Sequence, residues 1–192
     1  MNTDLKVDQV RQLMKKGQID AVIIPSDDPH KSEYVCDHWQ ARKWLTHFSG
    51  SAGTAVVTLD HALLWTDFRY YIQAESQIRG SVFKLFKTGA AGVPSLRRWL
   101  VENLAPGSVI GVDGALFSMG DIKRYASLFD EYDLKLDTGF DVIAPLWTDR
   151  PPVPASRAYG FSQKYSGEDR LSKLSRIREA MTRSASRVAN ET

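Results

Sequence analysis

Cysteine occurs once in these 192 residues, at Cys36, so the chain cannot close an intrachain disulfide or build a tetrathiolate zinc site. A reducing, cytoplasmic setting is the expectation that follows. No stretch approaches the roughly 18 consecutive apolar residues of a membrane span. The strongest early run is Ala21 to Ile24, and the polar start Met1-Asn2-Thr3-Asp4 does not read as a signal peptide. Histidine is scarce, with four residues, and none falls in a His-Glu-x-x-His metalloprotease pattern. Charge of one sign is also lacking. The net value is +2, made of a slight acidic excess up to Asp149 and a basic excess from Arg150 onward. The first part therefore carries no nucleic-acid footprint, and the basic tail is too modest to supply one.

What is present is the composition of a globular chain, 43% hydrophobic and 25% charged, long enough for one full core and an appendage. Val7, Val10, Leu13 and Met14 recur at helical spacing, with Thr3 or Asp4 available as an N-cap and Gly17 placed to end the helix. Asp20 to Pro25 reads as a short buried strand closed by proline. Glu33 to Trp44 has the large apolar residues of a helix, as does Tyr70 to Ile78. Val82 to Phe86 alternates as a strand. Pro94 suits the first turn of a helix carrying Leu96, Trp99 and Leu100. Val109 to Val112 is a further strand, Ser118 can cap a helix through Phe129, and Leu134 to Leu136 returns as a strand. Val142, Ile143, Leu146 and Trp147 fit one or two helical turns.

The chain is organised around Trp44 to Tyr71. Phe48 and the run Gly50-Ser51-Ala52-Gly53 lead into Ala55-Val56-Val57, a polar turn at Asp60-His61, and Leu63-Leu64-Trp65, which is the signal of a hairpin. Gly50 and Gly53 permit positive φ or a close approach of other atoms. Alternating helices and strands predict an α/β fold, a mixed or mostly parallel sheet covered by helices, with this hairpin as its antiparallel pair.

The residues from Gly50 to Val57 and Leu64-Trp65-Thr66-Asp67-Phe68-Arg69-Tyr70-Tyr71 resemble the N-terminal domain of the three-domain Xaa-Pro aminopeptidases, metallopeptidases related to creatinase and prolidase (family M24). Two further stretches resemble the same family in the same order: Ser26-Asp27-Asp28-Pro29-His30-Lys31-Ser32-Glu33-Tyr34, and Trp147-Thr148-Asp149-Arg150-Pro151-Pro152-Val153-Pro154. The resemblance implies a roughly six-stranded mixed sheet flanked by helices. It also implies a domain that edges a substrate cleft and helps form a homodimer, within a parent enzyme that removes an N-terminal residue preceding proline. Two divalent ions, commonly manganese, would be held by a C-terminal catalytic domain that these residues do not include. Phe68 stands where many relatives have glycine, a departure that bears on the turn geometry.

Pro151, Pro152 and Pro154 make a stiff connector. The domains expected are residues 1–147, a linker at 148–166, and residues 167–192 as the first helix of a second domain, with Leu171, Leu174, Ile177, Met181 and Val188 as its apolar stripe.

Several residue groups invite a functional reading. Asp27, Asp28, His30, Glu33, Asp37 and His38 contain metal-ligand types, yet a solvated loop needs the same polarity. Arg69 beside Tyr70 can grip a carboxylate or a peptide terminus, against a structural Asp67–Arg69 pair, which the residues alone favour. Gly50 to Gly53 lacks the spacing and lysine of a phosphate loop, and Ser51 as a nucleophile needs a convergent histidine. Arg69, Tyr70 and His38 are the expected cleft-edge residues, Trp39 and Phe68 the expected interface residues, and none is expected to be catalytic or a metal ligand. Besides the aminopeptidase domain, two readings stand: an interaction module using the basic C-terminal helix, and a small hydrolase built on the Asp27 to His38 cluster.

Overall fold

The structure is a computed structural model that describes the backbone of residues 2–190 and the side chains of residues 2–185. It divides into two compact units, Met1–Pro154 and Ala155–Thr192.

In the first unit, helix α1 spans Thr3–Gly17, and its N-cap is Asn2, whose side chain accepts from Asp4 N at 3.3 Å. Asn2 thus takes the cap expected of Thr3 or Asp4. Gly17 is the last helical residue, and Gln18 carries the left-handed conformation that ends the helix, at φ 56°. Close packing explains the glycine: a Cβ there would lie 2.7 Å from Phe140 Cε2. Strands β1 (Ala21–Ile24), β2 (Thr54–Thr58), β3 (Ala62–Thr66), β4 (Phe83–Lys87), β5 (Val109–Val112) and β6 (Lys135–Asp137) form one sheet in the order β4-β3-β2-β1-β5-β6. The pairs β1–β2 and β2–β3 are antiparallel; β3–β4, β1–β5 and β5–β6 are parallel. This is the mixed six-stranded sheet expected, with the hairpin as part of its antiparallel centre. Thr58 closes the hairpin turn by accepting from Asp60 N and His61 N through Oγ1.

The two faces of the sheet bury two cores, because side chains alternate along each strand. Val22, Ile24, Ala55, Val57, Leu64 and Phe83 pack on one face with Val7, Val10 and Met14 of α1. Ala41 and Leu45 of helix α2 (Ala41–Thr46) and Ala74 of helix α3 (Tyr71–Gln77) complete that layer. Ile23, Val56, Leu63, Trp65, Ile110 and Val112 face the other way. They meet Trp99 and Leu100 of helix α4 (Leu96–Asn103) and Phe129 of helix α5 (Met119–Glu131). Ser118 caps α5 in a full capping box with Asp121.

Three local expectations are corrected. Residues Glu33 to Cys36 are not helical; a 3₁₀ turn at Asp37–Trp39 and α2 follow instead, separated by Gln40 at φ −81°, ψ 41°. The Gln40 side chain also donates back to Val35 O at 3.0 Å, which holds the chain in its turn. Ser95, not Pro94, starts α4: its side chain accepts from Arg98 N, and Pro94 O accepts from Trp65 Nε1 at 3.0 Å. Residues Val142 to Trp147 make one hydrogen-bonded turn rather than a helix. Leu146 N and Trp147 N both donate to Ile143 O, after Asp141 Oδ1 has taken Ile143 N and Ala144 N.

The second unit contains helix α6 (Gln163–Ser166) and helix α7 (Arg170–Asn190). Leu171, Leu174, Ile177 and Met181 form an exposed stripe on α7. The Val188 side chain, the fifth expected member, lies outside the described residues.

Candidate functional site

The site is built around the Phe48 to Gly53 loop that feeds β2. Helix α2 ends at Thr46, with His47 left-handed at φ 61°, so the chain reverses immediately before Phe48. The loop then runs past Arg42, a residue only 4% exposed. Arg42 Nε donates to Ser26 Oγ at 2.9 Å, and its two terminal nitrogens donate to the carbonyl oxygens of Phe48 and Gly50. Ser26 Oγ in turn donates to Gly53 O at 2.6 Å, and Thr66 Oγ1 donates to Ala52 O at 2.6 Å. Four carbonyls of one short loop are thereby satisfied by buried or half-buried side chains, which fixes a segment that has no ladder to join.

Arg42 makes no salt bridge among the described residues; neutral oxygens solvate it, and its guanidinium lies 4.6 Å from the Phe48 ring centroid. Burial pulls its pKa down to about 10, with Tyr70 opposing that shift. It therefore stays cationic at neutral pH. No local pattern in the sequence marks this residue, because an arginine within an amphipathic segment looks like a solvated one. The nearest signal was the pair of glycines, which announced a backbone needing an outside donor.

Those glycines are required by close approach. A Cβ on Gly50 would sit 2.7 Å from Phe48 Cε2 and 2.8 Å from Tyr70 Cδ1; one on Gly53 would sit 2.9 Å from Trp65 O. Phe48 is fully buried, with its ring edge-on to Tyr70 at 5.9 Å between centroids. At the rim, Ser51 Oγ and Tyr70 OH are 2.6 Å apart, and Ser49 N donates to Gln77 Oε1 at 2.8 Å. A cavity of about 250 Å³ opens beside the loop, lined by Ser26, Glu33, Tyr34, Arg42, Gly50 and Ser51 among others.

Arg69 and Tyr70 come together here. Arg69 is engaged by Asp67 as a fork, Nε to Oδ1 at 2.9 Å and a terminal nitrogen to Oδ2 at 2.8 Å, while Asp67 Oδ1 also takes Arg69 N at 3.0 Å. The side-chain hydrogen bond from Arg69 holds the Asp67 carboxyl below the usual range. This is the structural pair that the residues alone favoured. Phe68, between them, is 77% exposed.

His38 and Trp39 find their partners at the connector. The His38 Nδ1 lies 2.6 Å from Pro151 O, and Arg150 Nε donates to His38 O at 2.7 Å. Because a carbonyl only accepts, Nδ1 carries the proton. The Arg150 guanidinium stacks 4.9 Å from the Trp39 ring and 5.7 Å from that of Trp147.

The polar segment Asp27 to His38 serves its own turns. Asp28 Oδ1 accepts from His30 N at 2.9 Å and Ser32 N at 3.0 Å, which keeps its carboxyl below the usual range, the Ser32 bond most strongly. Lys31 Nζ reaches Asp27 at 2.8 Å and Leu116 O at 2.9 Å. Among the described residues no group of three or more His, Cys, Asp or Glu side chains is arranged to hold a metal ion. Ser51 meets Tyr70 rather than a histidine; His47 Nε2 lies beside Lys6, and His61 packs edge-on to Trp99. No described helix is long and apolar enough to cross a membrane.

Comparison with known proteins gives the following. Residues 6–138 match the model of the Creatinase/Prolidase N-terminal domain. A probable Xaa-Pro aminopeptidase P of Laccaria bicolor is 35% identical over 183 residues, 94% of this chain and 28% of the relative. Aminopeptidase P2 of Arabidopsis thaliana is 39% identical over 180 residues, 91% of this chain and 25% of the relative. The crystal structure of the X-prolyl aminopeptidase of Caenorhabditis elegans, described as a cytosolic enzyme with a di-nuclear active site, superposes with a TM-score of 0.85 at 30% identity. That superposition covers 96% of this chain and 32% of the enzyme. The chain thus spans a quarter to a third of these relatives.

Proposed function

This chain belongs to the Creatinase/Prolidase N-terminal domain family, and from that premise we propose that it is the non-catalytic first domain of a metal-dependent Xaa-Pro aminopeptidase. The observation that carries the reading is near-complete coverage of this chain against enzymes of which it forms only the smaller part. The parent would release an N-terminal residue preceding proline in the cytoplasm, acting on proline-containing peptides with two divalent ions, manganese or similar. The described residues do not offer a donor set that fits such ions. That chemistry is assigned to a catalytic domain beyond these residues.

Within the parent, this domain shapes the substrate cleft and joins a homodimer. Arg42 holds the Phe48 to Gly53 loop rigid, and rigidity at a cleft edge keeps substrate-positioning groups in place without an entropy cost at each turnover. Arg69 is engaged by Asp67, so its part is to fix the turn that presents Tyr70. The Tyr70 and Ser51 hydroxyls then supply the polar contacts of the edge. Phe68 and Trp39 are the interface residues in this reading, and His38 acts through its hold on Pro151. Residues 1–147 form the domain, 148–166 the linker, and 167–192 the first helix of the next domain.

A second reading is favoured by the exposed stripe Leu171, Leu174, Ile177 and Met181 on α7: an interaction module in which that helix meets a partner protein. Cleavage of Xaa-Pro peptides with added manganese tests the first reading. The first predicts no turnover by the 192-residue chain and turnover by a longer chain containing it. Turnover by this chain alone contradicts it.

A further inference from the structure

Among the described residues, Lys6 on α1 is a buried ammonium with no acidic partner in contact. The residue is 6% exposed; Nζ donates to Trp44 O at 2.6 Å and lies 3.3 Å from His47 Nε2. Those partners occupy two of its three N–H groups and neither is an anion. No described carboxylate forms a salt bridge with it, although the charge of Asp149 reaches it and opposes the lowering of its pKa by burial. Desolvation and then the nearby Lys6 lower the pKa of His47. A buried cation whose direct contacts are all neutral is costly unless an anion can approach it.

Such an approach is open. Lys6 lines a cleft of about 490 Å³ together with Lys43, Trp44, His47, Trp147 and Pro151. That volume falls in the range of small-molecule sites. Trp44 and Trp147 are stacked, 5.5 Å between centroids at 20°, with Lys6 Nζ 4.5 Å from the Trp44 ring centroid, and together with Pro151 the two indoles line the cleft as an apolar wall. Lys43 is exposed at the mouth, and Asp37 is the acid among the lining residues.

We propose that this cleft binds a small aromatic carboxylate, its ring against the Trp44–Trp147–Pro151 wall and its carboxylate on Lys6 Nζ. Charge complementarity selects the anion, and the indole pair selects a flat apolar body. The site uses no group of the Phe48 to Gly53 loop and shares Pro151 with the contact that holds His38.

The test is titration of the 192-residue chain with phenylacetate and, separately, with the neutral isostere phenylacetamide, read from the indole N–H signals of Trp44 and Trp147 by NMR. Phenylacetate is expected to shift both signals saturably and to bind roughly tenfold or more tightly than the amide. In Lys6→Met, with the fold checked by circular dichroism, that preference should vanish. Lys43→Gln, on the surface, should reduce it two- to threefold if one exposed charge contributes a fraction of a kcal/mol. Equal affinity for acid and amide, or no saturable shift at either indole, overturns the proposal; both outcomes are read on the unmodified chain whether or not Lys6→Met folds.

Discussion

The guanidinium of Arg42, on the helix before the loop, donates to the carbonyl oxygen of Gly50, within it. Between them the chain reverses through His47 and buries Phe48 completely. One side chain therefore joins helix α2, the loop after β1 through Ser26, and the entrance to β2.

Arg42→Met should be among the most damaging single substitutions in the domain. It leaves the carbonyls of Phe48 and Gly50 and the Ser26 hydroxyl without their donor, at about 1–3 kcal/mol for each buried group left unsatisfied. A loss on the order of 3 kcal/mol or more is expected in urea unfolding followed by circular dichroism. Arg42→Lys should recover less than half of it, because an ammonium cannot offer the planar fork that serves three acceptors.

Gly50→Ala should destabilise by about 1–3 kcal/mol, the usual cost of overpacking, since the new methyl meets the fully buried Phe48 ring and the Tyr70 ring. Gly89→Ala serves as the control: nothing lies within 4 Å of its Cβ position, and its φ of +91° leaves a purely conformational cost of roughly 1 kcal/mol. Equal losses by thermal melting would contradict the close-packing account of Gly50.

Asp28 gives a pH dependence of definite sign. Its folded pKa lies below the ordinary carboxyl value, chiefly through the hydrogen bond from Ser32 N. The stability it contributes is therefore present above the unfolded value of roughly 3.9 and is lost as pH falls through the lower folded value. Asp28→Asn keeps an oxygen for His30 N and Ser32 N but does not titrate in that window. The unmodified chain should lose more stability than Asp28→Asn between about pH 5 and pH 2. Parallel curves would show that Asp28 carries no linkage.

Much of this arrangement was readable from residue order. The period of Val7, Val10 and Met14 marked α1, and the runs around Asp60-His61 marked β2 and β3, because one-sided burial imposes the helical or strand period directly. The six-stranded mixed sheet followed from that alternation together with the family resemblance. What escaped were features decided by tertiary partners. Gly17 looked like a helix terminator, yet it is kept small by Phe140, over 120 residues away in sequence. Glu33 to Cys36 had aromatic and polar residues compatible with a helix, but its backbone is committed to turns set by Asp28 and Gln40. The Asp67–Arg69 pair was legible because it flanks a visible strand end. Arg42 was not, since no local pattern distinguishes a guanidinium that faces water from one that faces carbonyls.

Among the described residues, no carboxylates and imidazoles converge as a hydrolytic metal pair requires. Titration of the 192-residue chain with manganese, followed by isothermal calorimetry and by the loss of the free-ion electron paramagnetic resonance signal, tests it most directly. The account predicts no stoichiometric uptake at neutral pH. Saturable binding of two ions per chain, abolished by substitution within Asp27 to His38, would contradict it.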